Sequence, residues 1–269
     1  MTPWNRSLLV LAIVVIPAVL PAKAQRALPD DNLAYPVLIA FKGSTGSGFF
    51  LNVNGAVFLI TAKHVLFDPN TQKLRENQAE LLSYSKDPSD QKNNLIALDF
   101  EALQAENALK THTVQDVVVV KIGDIKEVEP PSEDPCEPKH QAIEPLMGVI
   151  FEKNAKLGIV GVSIENVKTF DQVLIGNDVL VFGYPTSLGL QAQPQLDLHR
   201  PLLRKGIVAG QNLQRKSIVL DCPVYQGNSG GPVIQVESKN LLEKHFSVIG
   251  VVGEFVPFVD QARDQHLSL

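Results

Sequence analysis

The chain has 269 residues, 45% of them hydrophobic and 20% charged, with a formal net charge of −5. That is enough chain for one large or two small cores, and the acidic balance argues against nucleic acid as a partner. Aromatic residues make up only 6%, so aliphatic side chains must fill the interior.

Residues 1–6 carry one positive charge, residues 7–20 are apolar apart from Ser7 and Pro17, and Ala22-Lys23-Ala24 has a small-x-small pattern. This three-part layout predicts a cleaved secretory signal peptide over 1–24. Its apolar run of about 14 residues is short of the ~20 that span a bilayer. The mature chain is therefore expected to be secreted or periplasmic, without a membrane attachment.

Short β-like runs follow at 35–41, 48–53, 56–61, 95–100, 116–122, 157–162, 178–182, 206–209, 217–220, 231–236 and 246–252. Many are rich in Val, Ile and Phe and bounded by Gly, Asn or Pro, a pattern that predicts an all-β barrel or sandwich. Residues 72–84 and 101–110 fit either short helices or exposed loops. Residues 123–138 gather Asp124, Glu127, Glu129, Glu133, Asp134 and Glu137 with four prolines, which predicts an exposed connection near the middle of the mature chain. Its carboxylates lack the spacing of a calcium loop, and no Cys/His cluster has zinc spacing, so no metal or cofactor is expected. In a secreted chain, Cys136 and Cys222 are candidates for one disulfide. The competing arrangement leaves Cys222 buried on a strand and Cys136 free.

Three motifs carry chemistry. In Gly227-Asn228-Ser229-Gly230-Gly231-Pro232 the glycines allow a tight turn and close substrate approach, and the Gly227 and Ser229 N–H groups can converge as an oxyanion hole. A serine nucleophile needs a base. Phe58-Leu59-Ile60-Thr61-Ala62-Lys63-His64 offers one, an apolar strand running into a histidine. Asp116 heads four valines, so it is expected to be buried, and a buried carboxylate needs a partner such as an imidazole N–H.

The order His64, Asp116, Ser229 with these flanking residues resembles the trypsin-like (chymotrypsin-fold) peptidases. It is most similar to the bacterial branch that includes the high-temperature-requirement, Deg-type proteases. Gly46-Ser47-Gly48-Phe49, residues 177–185, residues 205–209 and Asp221 also resemble segments of that branch, in its order. The resemblance runs from about 35 to 256. It implies two six-stranded antiparallel β-barrels with the site in the cleft between them. The expected layout is a first barrel over 32–125 carrying His64 and Asp116, a linker over 126–150, a second barrel over 151–258 carrying Ser229, and a tail or short helix over 259–269. The implied activity is that of a serine endopeptidase acting on protein or peptide substrates through an acyl-enzyme.

In the family the specificity pocket lies about six residues before the serine. That position is Pro223, with Val224 and Tyr225 beside it, and the absence of an acid predicts a preference for uncharged, small or aliphatic residues on the acyl side of the cut. Gly253-Glu254-Phe255 is expected to pair with the substrate backbone. Asn228 stands where zymogen-type relatives have an aspartate, which predicts that no activating cleavage is needed beyond signal removal. The span between Asp116 and Ser229 is longer than in compact members, and the residues after Ser229 are too few for a PDZ domain, so none is expected. Two other readings compete. One is an inactive trypsin-like domain used for binding. The other is an esterase, opposed by the absence of a Gly-x-Ser-x-Gly elbow. The oligomeric state is left open.

Overall fold

The computed structural model describes residues 28–84, 94–128, 140–152, 159–184, 200–238, 240 and 243–254. The expected signal peptide, Cys136, most of the acidic connection, Phe255 and the tail over 259–269 lie outside these residues.

The first sheet contains β1 (Pro36–Ala40), β2 (Thr45–Val53), β3 (Ala56–Thr61), β4 (Gln78–Ser83), β5 (Asn94–Asp99), β6 (Leu109–Thr111), β7 (Val118–Val128), β8 (His140–Pro145), β9 (Val149–Phe151) and β10 (Val162–Ser163). Its main path runs β6-β7-β3-β2-β1-β4-β5-β9, with β8 on β7 and β10 on β2. The second sheet contains β11 (Asp178–Gly183), β12 (Leu202–Asn212), β13 (Ser217–Asp221), β14 (Pro232–Ser238) and β15 (Lys244–Val251), in the order β13-β12-β11-β14-β15. Among the described residues the second sheet has five strands.

Local sequence accounts for the hairpins. β2 and β3 turn at Asn54 and Gly55, both with positive φ (49° and 77°), the backbone that a two-residue hairpin needs and that Asn-Gly favours. The two stretches left open between helix and loop divide. Within 72–84 the second half is β4. Within 101–110 the chain forms a short helix (Phe100–Ala105), because the Asp99 carboxylate accepts from the Glu101 and Ala102 N–H groups and caps its first turn.

The stretch 126–150 does more than connect. β8 pairs antiparallel with β7, and β9 pairs antiparallel with β5. Only residues 146–148 separate β8 from β9, so this strap ties one end of the sheet path to the other and curls the sheet into a barrel. Ile143 and Val149 from the strap are buried in the first core. The acidic and proline-rich composition next to them hides these short strands in the sequence.

β7 explains how the two sheets meet. Val118, Val120 and Ile122 are fully buried in a core with Leu59, Leu81, Ile96 and Phe100. Val117 and Val119 face the other way and pack against a second core. That second core joins Phe49 and Ile60 of the first sheet to Leu180, Phe182, Ile234 and Val248 of the second. A run of valines without polar alternation thus marks a strand buried on both faces. Each such side chain contributes about 1.5–3 kcal/mol on burial, so the docked sheets are a major part of the fold's stability. No helix among the described residues is long and apolar enough to cross a membrane.

Candidate active site

β3 ends at Thr61, Ala62 keeps extended backbone, and the chain then turns into a short helix (Lys63–Leu66). His64 lies in that turn. Asp116 closes the loop before β7, and the pairing of Thr61 with Val118 brings the two residues side by side. His64 Nδ1 lies 2.6 Å from Asp116 Oδ2, while the His64 backbone N–H donates to Oδ1 at 3.0 Å. The Lys63 N–H donates to the Asp116 carbonyl at 3.3 Å. Both carboxylate oxygens thus hold His64, one through its ring and one through its backbone. A carboxylate oxygen only accepts, so Nδ1 is the donor in this contact.

Asp116 is less buried than its valine run suggests. It precedes β7, which begins at Val118, and its side chain is 40% exposed against 34% for His64. Partial burial disfavours its charge, but the His64 ring hydrogen bond, the ring charge and the His64 amide outweigh it. The carboxyl is held below its usual value. His112 shapes the same loop, because its Nδ1 accepts from the Val114 and Gln115 N–H groups at 3.2 and 2.8 Å. No strand motif marks His112 in the sequence, so this role is visible only in the fold. A depression beside His64 is lined by Lys63, Phe67, His112 and Val114.

The serine loop follows β13. The N–H groups of Asn228, Gly230 and Gly231 donate to Tyr225 O, Val252 O and Asn228 O at 3.0, 2.7 and 2.9 Å. Among the described residues, the Gly227 and Ser229 N–H groups meet no acceptor. Buried Gly227 makes that unusual, since buried backbone donors are nearly always paired. The buried Asn228 side chain accepts from the Tyr225 N–H at 3.1 Å through Oδ1, and its Nδ2 finds no partner among the described residues.

Ser47 of β2 grips this loop from the opposite sheet. Its N–H donates to Ser229 O at 2.8 Å. Its hydroxyl donates to Gly227 O at 2.5 Å and accepts from the Tyr184 N–H at 2.9 Å. Thr61 Oγ1 in turn donates to the Ser47 carbonyl at 2.6 Å. Gly230 has φ of 86°, and a methyl added there would collide with Ser47 O and Thr61 Oγ1. The residue after Ser229 therefore lies flush against the last residue of β3, three positions before His64. A methyl at Gly253 would sit 3.8 Å from Asp116 Oδ2. Strand ends from both sheets thus converge on one cleft. Ser47 was legible only as part of a glycine-rich strand, and nothing in the sequence revealed its bonds to the loop.

Of the expected substrate-contacting residues, Pro223, Tyr225 and Glu254 are exposed, and Val224 and Gly253 are half-buried. Val224 packs against the core of the second sheet. Arg204 of β12 lies over the Tyr225 ring, its guanidinium carbon 4.8 Å from the ring centroid. Of the expected Cys136–Cys222 pair, Cys136 lies outside the described residues. Cys222 is a free thiol, half-buried beside Pro223, and that burial pushes its pKa up.

Two curled antiparallel sheets, with a histidine–aspartate pair on one and a glycine-flanked serine loop on the other, define a protein of the trypsin-like fold. A family model for the trypsin-like peptidase domain matches residues 46–242, and the chain belongs to that family. Among solved structures it is similar to Deg5, at 14% identity and a TM-score of 0.43 over 81% of this chain and 84% of that one. It is also similar to the HtrA-type protease AlgW solved with a tripeptide, at 17% identity and a TM-score of 0.39. That match covers 76% of this chain and 47% of the AlgW chain. No curated protein matches it in sequence.

Proposed function

We propose that the chain is a secreted or periplasmic serine endopeptidase that hydrolyses peptide bonds through Ser229, His64 and Asp116. The observation that carries this reading is the 2.6 Å contact between His64 Nδ1 and Asp116 Oδ2, formed where the Gly230 turn abuts the end of β3. In this reading Ser229 Oγ attacks the peptide carbonyl carbon, and His64 Nε2 takes the hydroxyl proton. Asp116 orients the ring and stabilises its charged form. The Gly227 and Ser229 N–H groups, unpaired among the described residues, receive the oxyanion. The carbon–nitrogen bond then breaks as His64 passes its proton to the leaving amine. Water, deprotonated by His64, hydrolyses the acyl-enzyme and restores Ser229.

The first unit, over 32–125, supplies the base and its orienting acid, and the second, over 151–258, supplies the nucleophile, with 126–150 between them. Pro223, Val224, Tyr225, Gly253, Glu254 and Phe255 are assigned to the substrate, a protein or peptide. The three-part pattern of residues 1–24 supports export, and neither nucleic acid nor membrane enters the reading. The test is labelling of the mature protein with a fluorophosphonate, followed by mapping of the modified residue and a casein cleavage assay. Labelling at Ser229 with cleavage is expected. An unlabelled, inactive but folded protein would instead favour a trypsin-like domain used for binding.

A further inference from the structure

We propose that Arg204 sets the specificity of this site by receiving an acidic side chain, glutamate or aspartate, on the acyl side of the scissile bond; the proposal rests on the peptidase reading above. Along β12, Leu202, Arg204, Gly206 and Val208 are turned inward, whereas Leu203, Lys205 and Ile207 are exposed. Ile207 pairs with Asp221 on β13, and a methyl at Gly206 would lie 2.5 Å from Cys222 Cβ. The inward face of β12 therefore runs along the residues that lead into the serine loop.

Arg204 projects from that face onto the ring of Tyr225, four positions before Ser229. The Tyr225 N–H is held by Asn228, the neighbour of the nucleophile, so the cation is tied to the wall of the cleft. Its charge is felt at Cys222, whose thiol burial pushes up and Arg204 pulls down. Arg204 Nε is shut off from water and has no hydrogen-bond acceptor among the described residues. Among the described residues no carboxylate pairs with the guanidinium, and Asp221, exposed at the end of β13, forms no ion pair with it.

A dry, unpaired guanidinium donor is costly, and one aromatic face compensates it only in part. A substrate carboxylate supplies what is lacking, both the counter-charge and acceptors matched to the guanidinium fork. An aliphatic side chain leaves the donor unpaired, and lysine or arginine brings a second positive charge. This reverses the uncharged preference that Pro223, Val224 and Tyr225 suggest when read alone.

The test uses the mature protein and peptide nitroanilides that differ only in the residue before the cut: Glu, Gln, Leu or Lys. Wild type is expected to cleave the Glu substrate about 10- to 100-fold faster in kcat/KM than the Gln isostere, with Lys slowest. Arg204→Gln should bring the Glu/Gln ratio close to one, and Arg204→Lys should keep part of it. A wild-type ratio near one, or one that survives Arg204→Gln, overturns the proposal. If Arg204→Gln does not fold, the wild-type and Arg204→Lys ratios decide. Phosphonate labelling of wild-type Ser229 separates the two readings. Labelling without a Glu preference removes only the role of Arg204, whereas neither labelling nor cleavage removes the peptidase reading and this inference with it.

Discussion

His64 and Asp116 are fixed by neighbours within their own sheet, whereas the loop that carries Ser229 takes many of its contacts from the opposite one. Asp116 chelates His64 through ring and backbone at 2.6 and 3.0 Å, across the β3–β7 ladder. Ser47, itself held by Thr61 and Tyr184, bonds Ser229 O and Gly227 O from the first sheet, and Val252 accepts the next N–H. The histidine end is thus complete wherever the first sheet folds. The serine end is closed by bonds within its loop and to Val252, and is tied across the cleft through Ser47, so docking sets where it stands against the first sheet.

The sharpest contrast comes from removing the proposed nucleophile alone. Ser229→Ala should lower kcat/KM by on the order of 10⁴-fold or more while the thermal melt is unchanged, and casein cleavage at the wild-type rate would refute the assignment. Gly230→Ala strikes the docking instead. Its methyl meets Ser47 O and Thr61 Oγ1 at a left-handed backbone position, so chemical denaturation should show a loss of about 2–4 kcal/mol. Phosphonate labelling should fall with it, and full stability together with full labelling would mean that the two sheets do not meet as described. Ser47→Ala deletes the hydroxyl between Gly227 O and Tyr184 N. A lost buried hydrogen-bond partner costs about 1–3 kcal/mol. The expected signature is kcat reduced roughly 10- to 100-fold with KM little changed, because in the proposed mechanism the loop holds the charge that develops rather than the bound peptide. A rise in KM alone would assign Ser47 to substrate binding.

The histidine end should give smaller effects on stability. The Asp116 carboxyl is held below its usual value in the folded state. Its contribution is therefore complete above the unfolded carboxylate pKa, near pH 4, and fades as pH falls through the lowered folded value. At 40% exposure that contribution stays below about 1 kcal/mol. Melting curves of wild type and Asp116→Asn should differ at neutral pH and converge on acidification, and a gap that widens in acid has the wrong sign. The smallest expected effect is none. With neutral Asn228 held to Tyr225, residues 25–269 behind a blocked N-terminus should be active in a peptide assay. Activity that appears only after a further cut would mark a zymogen.

The motifs around His64 and Ser229 stand out in the sequence because each constrains several neighbours at once. The β-rich fold was legible because its aliphatic runs are punctuated by turn residues. The burial of Asp116 was misjudged, since the strand begins two residues later and a pattern of valines does not fix where a loop ends. β8 and β9 were read as connection because acids and prolines beside them mask strands of six and three residues. The contacts of Ser47 and Arg204 depend on partners 180 and 21 positions away, Gly227 and Tyr225, and no local pattern records such pairings.

The β7–β8 ladder has a consequence for engineering. Its last rung pairs Val128 with His140, so the chain between them starts and finishes one strand spacing apart. Lengthening a segment whose ends are already held together costs only about 0.6 kcal/mol for each doubling. Foreign sequence grafted between positions 129 and 139, such as an affinity tag or a fluorescent domain, therefore leaves the strap in register. The rung between Val128 and His140 thus offers a place for cargo in the middle of the gene rather than at either end.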